Sequence, residues 1–135
     1  MSTFGTIVLA GIGLFVALMV GMNVFVRIKA KAMKGQPLPD LPGKVGKSIA
    51  KATDGLVYFF SPSCAACRTL TPIVQKAAQK NKNVFAVDVT KNLELARALK
   101  VMVTPSTLEV SGGRVVEVHV GMLPQSVLTR LSPST

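Results

Sequence analysis

Hydrophobic positions fall into three rhythms along this chain. From Thr6 to Val26 (TIVLAGIGLFVALMVGMNVFV), 21 residues pass without a charged side chain. At ~1.5 Å per residue such a helix measures about 32 Å, which matches a hydrocarbon core of roughly 30 Å. Residues 6–26 are therefore predicted to be a transmembrane helix, with residues 1–5 as a short N-terminal tail. Gly55 to Phe60 (GLVYFF) is a nearly continuous apolar run of aromatic and branched residues, the pattern of a strand buried on both faces. Cys64 to Lys80 then sets Cys67, Leu70, Val74 and Ala78 at helical spacing, leaving Arg68, Gln75, Lys76 and Gln79 for the wet side.

The same reading extends to the rest of the chain. Lys44 to Ala52 predicts a short basic helix, Asn83 to Val89 a second strand, and Asn92 to Lys100 a helix that Asn92 caps. Ser106 to Val110 and Arg114 to Val120 flank Ser111-Gly112-Gly113 and predict an antiparallel hairpin. Pro124 to Leu131 closes the pattern as a helix with proline in its first turn. Within the hairpin, Val116, Val118 and Val120 alternate with Glu117 and His119, which assigns His119 to a solvated strand face. Strands interleaved with helices predict an α/β fold: a mixed sheet flanked by helices, over residues 44–135.

Charge separates these regions. Residues 27–51 hold seven Lys or Arg against the single acid Asp40, whereas residues 54–135 hold nine against five. Arg27, Lys29, Lys31 and Lys34 directly follow the apolar span, where they would sit among lipid headgroups and, by the positive-inside rule, place the C-terminal domain in the cytoplasm. Nucleic-acid binding is a poor use of this cluster, because it abuts the membrane and carries no aromatic residue. A cleaved secretory signal fits less well than a span: MSTFG has no basic residue, and the small-x-small triplet Ala30-Lys31-Ala32 lies beyond Arg27 and Lys29. Gly13, Ala17 and Gly21 recur every fourth residue, a face on which two such helices can approach as a homodimer. Next comes GQPLPDLPG, residues 35–43, whose three prolines predict an extended, semi-rigid spacer. Residues 27–43 thus read as a basic juxtamembrane segment and linker that holds the domain clear of the headgroups.

The chain's two cysteines, Cys64 and Cys67, lie in SPSCAAC. A cysteine at the first turn of a helix meets unpaired N–H groups and the positive end of the helix dipole, both of which favour thiolate. Cys64 is so placed, and Cys67, one turn on, can resolve a mixed disulfide by closing a small ring. Ser61 and Ser63 offer hydroxyls as helix caps or as donors to a thiolate. A closed zinc site wants four ligands, and beyond the cysteines the only candidate is the distant His119, so no metal or cofactor is assigned. A soft-metal carrier, with the site shared between copies or transient, stays open as an alternative. A structural staple is a poor reading, since so short a loop constrains the unfolded chain little.

From Lys44 to Leu131 the chain resembles the thioredoxin family. An apolar strand leads into Ser63-Cys64-Ala65-Ala66-Cys67. Pro72 follows Cys67 by five residues, where that family kinks its active-site helix, and Val103-Thr104-Pro105 matches its cis-proline loop. Gly121 also resembles a family glycine. The resemblance implies a thiol-disulfide oxidoreductase with Cys64 as nucleophile, Cys67 as resolving thiol and Ser63, Pro72 and Tyr58 as active-site support. It further implies that Pro105 packs against the disulfide, while the backbone of Thr104 pairs with an extended substrate segment.

Departures from the family pattern are equally specific. Ser63 stands where a tryptophan is usual, Tyr58 occupies the place of a buried acid, and no full first strand is evident. Without that acid the Cys67 proton needs another acceptor, water or a substrate thiolate. The implied partners are protein disulfides or dithiols and a redox partner protein. A tethered binding or scaffold module that uses the Thr104-Pro105 groove without turnover is the alternative from another class. An N-terminal anchor also occurs in family members facing an oxidising, extracytoplasmic space, which opposes the positive-inside assignment.

Overall fold

The computed structural model describes residues 2–131; the predicted edges at Met1 and at 132–135 lie outside the described residues. In chain order the elements are α1 (Ser2–Lys31), α2 (Gly43–Lys51), β1 (Asp54–Phe60), α3 (Cys67–Lys80), β2 (Val84–Asp88), α4 (Leu93–Ala98), β3 (Ser106–Ser111), β4 (Arg114–Val120) and α5 (Gln125–Leu131). Among the described residues the strands form one sheet in the order β2-β1-β3-β4. β1 and β2 are parallel, while β3 is antiparallel to both β1 and β4.

Local chemistry accounts for most of these boundaries. β1 alternates between two covered faces: Val57 and Phe59 enter one core with Ile49, Leu95 and Leu99, whereas Leu56 and Tyr58 enter the other with Leu70, Val74 and Val127. Hence α2 and α4 close one face and α3 and α5 the other. The β3–β4 hairpin turns at Gly112 and Gly113, whose φ of 57° and 74° suit a two-residue turn of the primed kind. Asn92 precedes α4 but does not cap it through its side chain, which instead donates to the Asp88 carbonyl at 3.1 Å.

α1 runs beyond the apolar span to Lys31. Its Ser2–Lys29 stretch is long and apolar enough to cross a membrane, and Gly13, Ala17 and Gly21 lie exposed along it. The following segment differs from the expected spacer, because it lies along the domain. Met33 and Leu41 are each 4% exposed and belong to the α2/α4 core. Gly35 N–H donates to Val115 O, Val115 N–H to Gln36 O and Leu38 N–H to Gly113 O, with Pro37 bridging Arg114. The cause is physical: β4 is an edge strand with unpaired backbone groups, and residues 35–38 satisfy them. Gly46 admits this docking, since a Cβ there would meet the Leu41 backbone at 2.8 Å.

A β-bulge corrects the reading of β4. Register shifts between Glu109 and Val110, so Glu109 faces Glu117 while Val110 faces Val115, and Val116 is left exposed. The shift resets the alternation. Beyond the shift the alternation holds, so His119 faces away from Val118 and Val120 onto the α3/α5 side; that side is covered too, leaving its side chain only 16% exposed with Nε2 2.7 Å from Glu109 Oε1. It is not on a solvated face.

Candidate active site

The cysteine loop leaves the C-terminal end of β1, and α3 begins at Cys67 rather than at Cys64. Cys64 therefore sits in the turn before the helix, where its position still exposes it to helix-end donors. The Cys67 N–H points at Cys64 Sγ, 3.2 Å away, so the sulfur occupies the place of a cap. The two cysteines are joined as a disulfide with a Cα–Cα distance of 5.3 Å. Cys67 is 2% exposed, whereas Cys64 is half-buried at the surface. An incoming thiolate thus reaches Cys64 and is shielded from Cys67, which is the asymmetry an attacking and a resolving thiol require.

A shallow groove of about 270 Å³ borders the pair, lined by Phe60, Ser61, Pro62, Arg68, Thr71 and Pro72 as well as both cysteines. Arg68 brings a cation to this groove and favours a thiolate there. Its place four residues after Cys64 was a legible signal, although helical periodicity alone assigns it to solvent. Ser63 does not cap α3; its hydroxyl lies 3.0 Å from that of Ser61, and the helix has no side-chain cap. Pro72 is inside α3 and exposed along the groove wall.

Tyr58 is fully buried, its ring stacked on Phe60 with centroids 5.8 Å apart, and its hydroxyl is 2.9 Å from Thr71 Oγ1. Burial pushes the phenol above its ordinary value, against the opposing hydrogen bond from Thr71. At neutral pH Tyr58 is thus an uncharged hydroxyl and no substitute for a carboxylate base. Thr71, one turn past Cys67, links it to the groove and was not singled out by sequence reasoning.

The Thr104-Pro105 peptide bond is cis. Phe59 pairs with Ser106, which brings Pro105 to the end of the sheet where β1 passes into the cysteine loop. Ser106 Oγ donates to Val103 O at 2.6 Å, and Gly121 N–H donates to Pro105 O at 2.8 Å. Pro105 is buried and Thr104 half-buried. Among the described residues, the Thr104 backbone makes no hydrogen bond to another backbone group, so its donor and acceptor are available to an extended strand.

A larger cavity of about 430 Å³ lies at the other end of β1, between Asp54, Asn83, Glu109 and Arg130, and neither cysteine lines it. Among the described residues no group of three or more His, Cys, Asp or Glu is placed to hold a metal ion.

Comparison with known proteins agrees with this geometry. The family model for thioredoxin matches residues 44–132. The thioredoxin of Bacillus subtilis is 31% identical over 87 residues, covering 61% of this chain and 84% of that protein. Thioredoxin 1 of a Nostoc species is 30% identical over 78 residues, or 56% and 73% of the two chains. Among solved structures, a thioredoxin variant from Halobacterium salinarum superimposes with a TM-score of 0.54 at 27% identity, covering 72% of this chain and 92% of the other. Together with the Cys64–Cys67 pair, these matches establish that the chain belongs to the thioredoxin family and is a thiol-disulfide oxidoreductase.

Proposed function

We propose that the protein is a membrane-tethered oxidoreductase that exchanges its Cys64–Cys67 disulfide or dithiol with protein substrates. The observation that carries this reading is the unequal exposure of two bonded cysteines at a helix start. In the reducing direction, the Cys64 thiolate attacks one sulfur of a substrate disulfide, and the other sulfur leaves as a thiolate. Cys67 then attacks Cys64 Sγ, releasing the second substrate sulfur and leaving the enzyme disulfide. Two electrons pass to the substrate, and a dithiol partner protein must restore them. The proton from Cys67 goes to water or to the departing thiolate, since Tyr58 is a neutral hydroxyl.

The apolar helix α1 supplies the tether and Arg27, Lys29 and Lys31 its headgroup contacts, Lys34 being paired with Glu117 of the domain instead, with the domain on the cytoplasmic side by the positive-inside rule. The first test is Cys67→Ser in the full chain. It is expected to accumulate covalent mixed disulfides through Cys64 that a reducing agent releases, whereas a binding module without turnover would behave the same with or without Cys67. Direction is read from the reduction potential: about −270 mV marks a reductase, and about −120 to −180 mV an oxidant or isomerase.

A further inference from the structure

Resting on that reading, we propose that the substrate groove is held facing the bilayer at headgroup level, so that the disulfide it acts on belongs to the juxtamembrane segment of another membrane protein. The evidence is the direction in which the chain meets the domain. Residues 34–38 run antiparallel along β4. Leu38 lies at Gly113, Gly35 at Val115 and Lys34 at Glu117, with Lys34 Nζ 2.7 Å from the Glu117 carboxylate. Further upstream, Arg27 and Lys31 share a groove with Glu117, His119, Val120, Met122 and Pro124. The apolar span, residues 6–26, therefore departs past the end of β4 at Val120. That is the end of the sheet that holds Pro105 and the cysteine loop.

Distance along the helix fixes the depth. Val26, the last residue of the charge-free span, stands five residues before Lys31, or about 7.5 Å at ~1.5 Å per residue in an upright helix. A headgroup layer is itself roughly 5–8 Å thick on each side. The loops beside Lys31 and Lys29 thus meet the headgroups. One contains Met122; the other contains Lys100, Val101 and Met102, which with Arg97 share a second groove with Lys29 and Ala32.

What these loops display suits that level. Met102 and Met122 are 59% and 58% exposed, one three residues before Pro105 and the other next to Gly121, which bonds Pro105. Arg27, Lys29, Lys31, Arg97 and Lys100 surround them, and none makes an ion pair among the described residues. Apolar tips ringed by unpaired cations complement an anionic lipid surface. Lys100 adopts a left-handed φ of 54° just after α4, with Val101 N–H closing on Ala96 O, a position at which glycine is the usual residue. A cation is kept there at a conformational cost.

The test uses the full chain in vesicles of phosphatidylcholine and phosphatidylglycerol, beside a variant with about twelve flexible Gly and Ser residues between Lys31 and Ala32, a reach of roughly 20 Å. Two reduced-enzyme assays are compared. One substrate is a transmembrane peptide with a disulfide loop just outside its span; the other is the same loop as a soluble peptide. The native chain should favour the membrane peptide, and the insertion should lower the ratio of the two rates by at least about tenfold, because only alignment of the groove changes. An unchanged ratio with turnover intact overturns the orientation alone. Absence of turnover on both peptides in both chains overturns the exchange reading and the substrate class with it.

Discussion

On β1, Val57 and Phe59 point to one face of the sheet and Leu56 and Tyr58 to the other, and the two faces are closed in different ways. The α2/α4 face is apolar from Met33 and Ile49 to Leu108 and Val118, with a buried polar residue, Ser106, whose hydroxyl is bonded to Val103 O. The α3/α5 face also holds a polar row across the strands, Tyr58, Thr107 and His119, with Glu109 beside it. Thr107 Oγ1 is buried without a hydrogen-bond partner among the described residues. Such a group costs about 1–3 kcal/mol, which an apolar isostere would avoid. One face thus supplies stability, while the face that carries the cysteine helix tolerates polar groups. The helix that positions the redox pair is laid on the less uniform core.

Truncation should separate the two faces most sharply at Phe59, which is fully buried. Phe59→Ala is expected to lower the unfolding free energy by about 3–5 kcal/mol, measured by denaturant unfolding of the full chain in detergent. Next comes Met33→Ala, which tests whether the juxtamembrane segment truly belongs to the apolar face. A loss of about 2–4 kcal/mol is expected of a buried methionine, whereas a free spacer would show none.

Tyr58→Phe probes the opposite face with a smaller change. Only the hydroxyl that meets Thr71 is removed, so about 1 kcal/mol should be lost. The groove geometry should persist, and alkylation of reduced Cys64 should keep its rate to within about twofold, since a neutral phenol takes no proton. A loss as large as that of Phe59→Ala would erase the distinction between the faces.

Local patterns made the elements legible, and long-range pairings hid the rest. β4 appears over Arg114–Val120 as expected because the two glycines fix its start, and Gly55–Phe60 lies within β1 because its apolar run has no helical alternative. Cys64 and Cys67 are joined as a disulfide and the Thr104-Pro105 bond is cis. Three prolines describe the stiffness of residues 35–43 and say nothing of the edge strand on which residues 35–38 dock. Ser63 does not cap the helix because α3 starts at Cys67, three residues later than its pattern suggests, and its hydroxyl meets that of Ser61. Alternation places His119 opposite Val118 and Val120 correctly, but it cannot show that this second face is covered as well, with Glu109 beside the ring.

Glu109 stands at the β-bulge on the α3/α5 face, and pH can isolate its contribution. Glu109 lies between His119, at 2.7 Å, and Arg130 of α5, at 2.8 Å. Burial pushes its carboxyl up, but the hydrogen bonds and charges of His119 and Arg130 outweigh it and hold the group below the usual glutamate range. A carboxyl whose folded value is lowered stabilises the fold above its unfolded value, near about 4.3, and that contribution disappears as pH falls through the lowered folded value. Glu109→Gln should therefore be less stable than the native chain at neutral pH, by under about 1 kcal/mol given that Arg130 is 64% exposed. The gap should close on acidification below the ordinary glutamate value. Denaturation midpoints of both chains from neutral pH to below pH 4 read this directly. A gap independent of pH would mean that Glu109 acts through packing alone, and the polar row would then be no different in kind from the apolar face behind it.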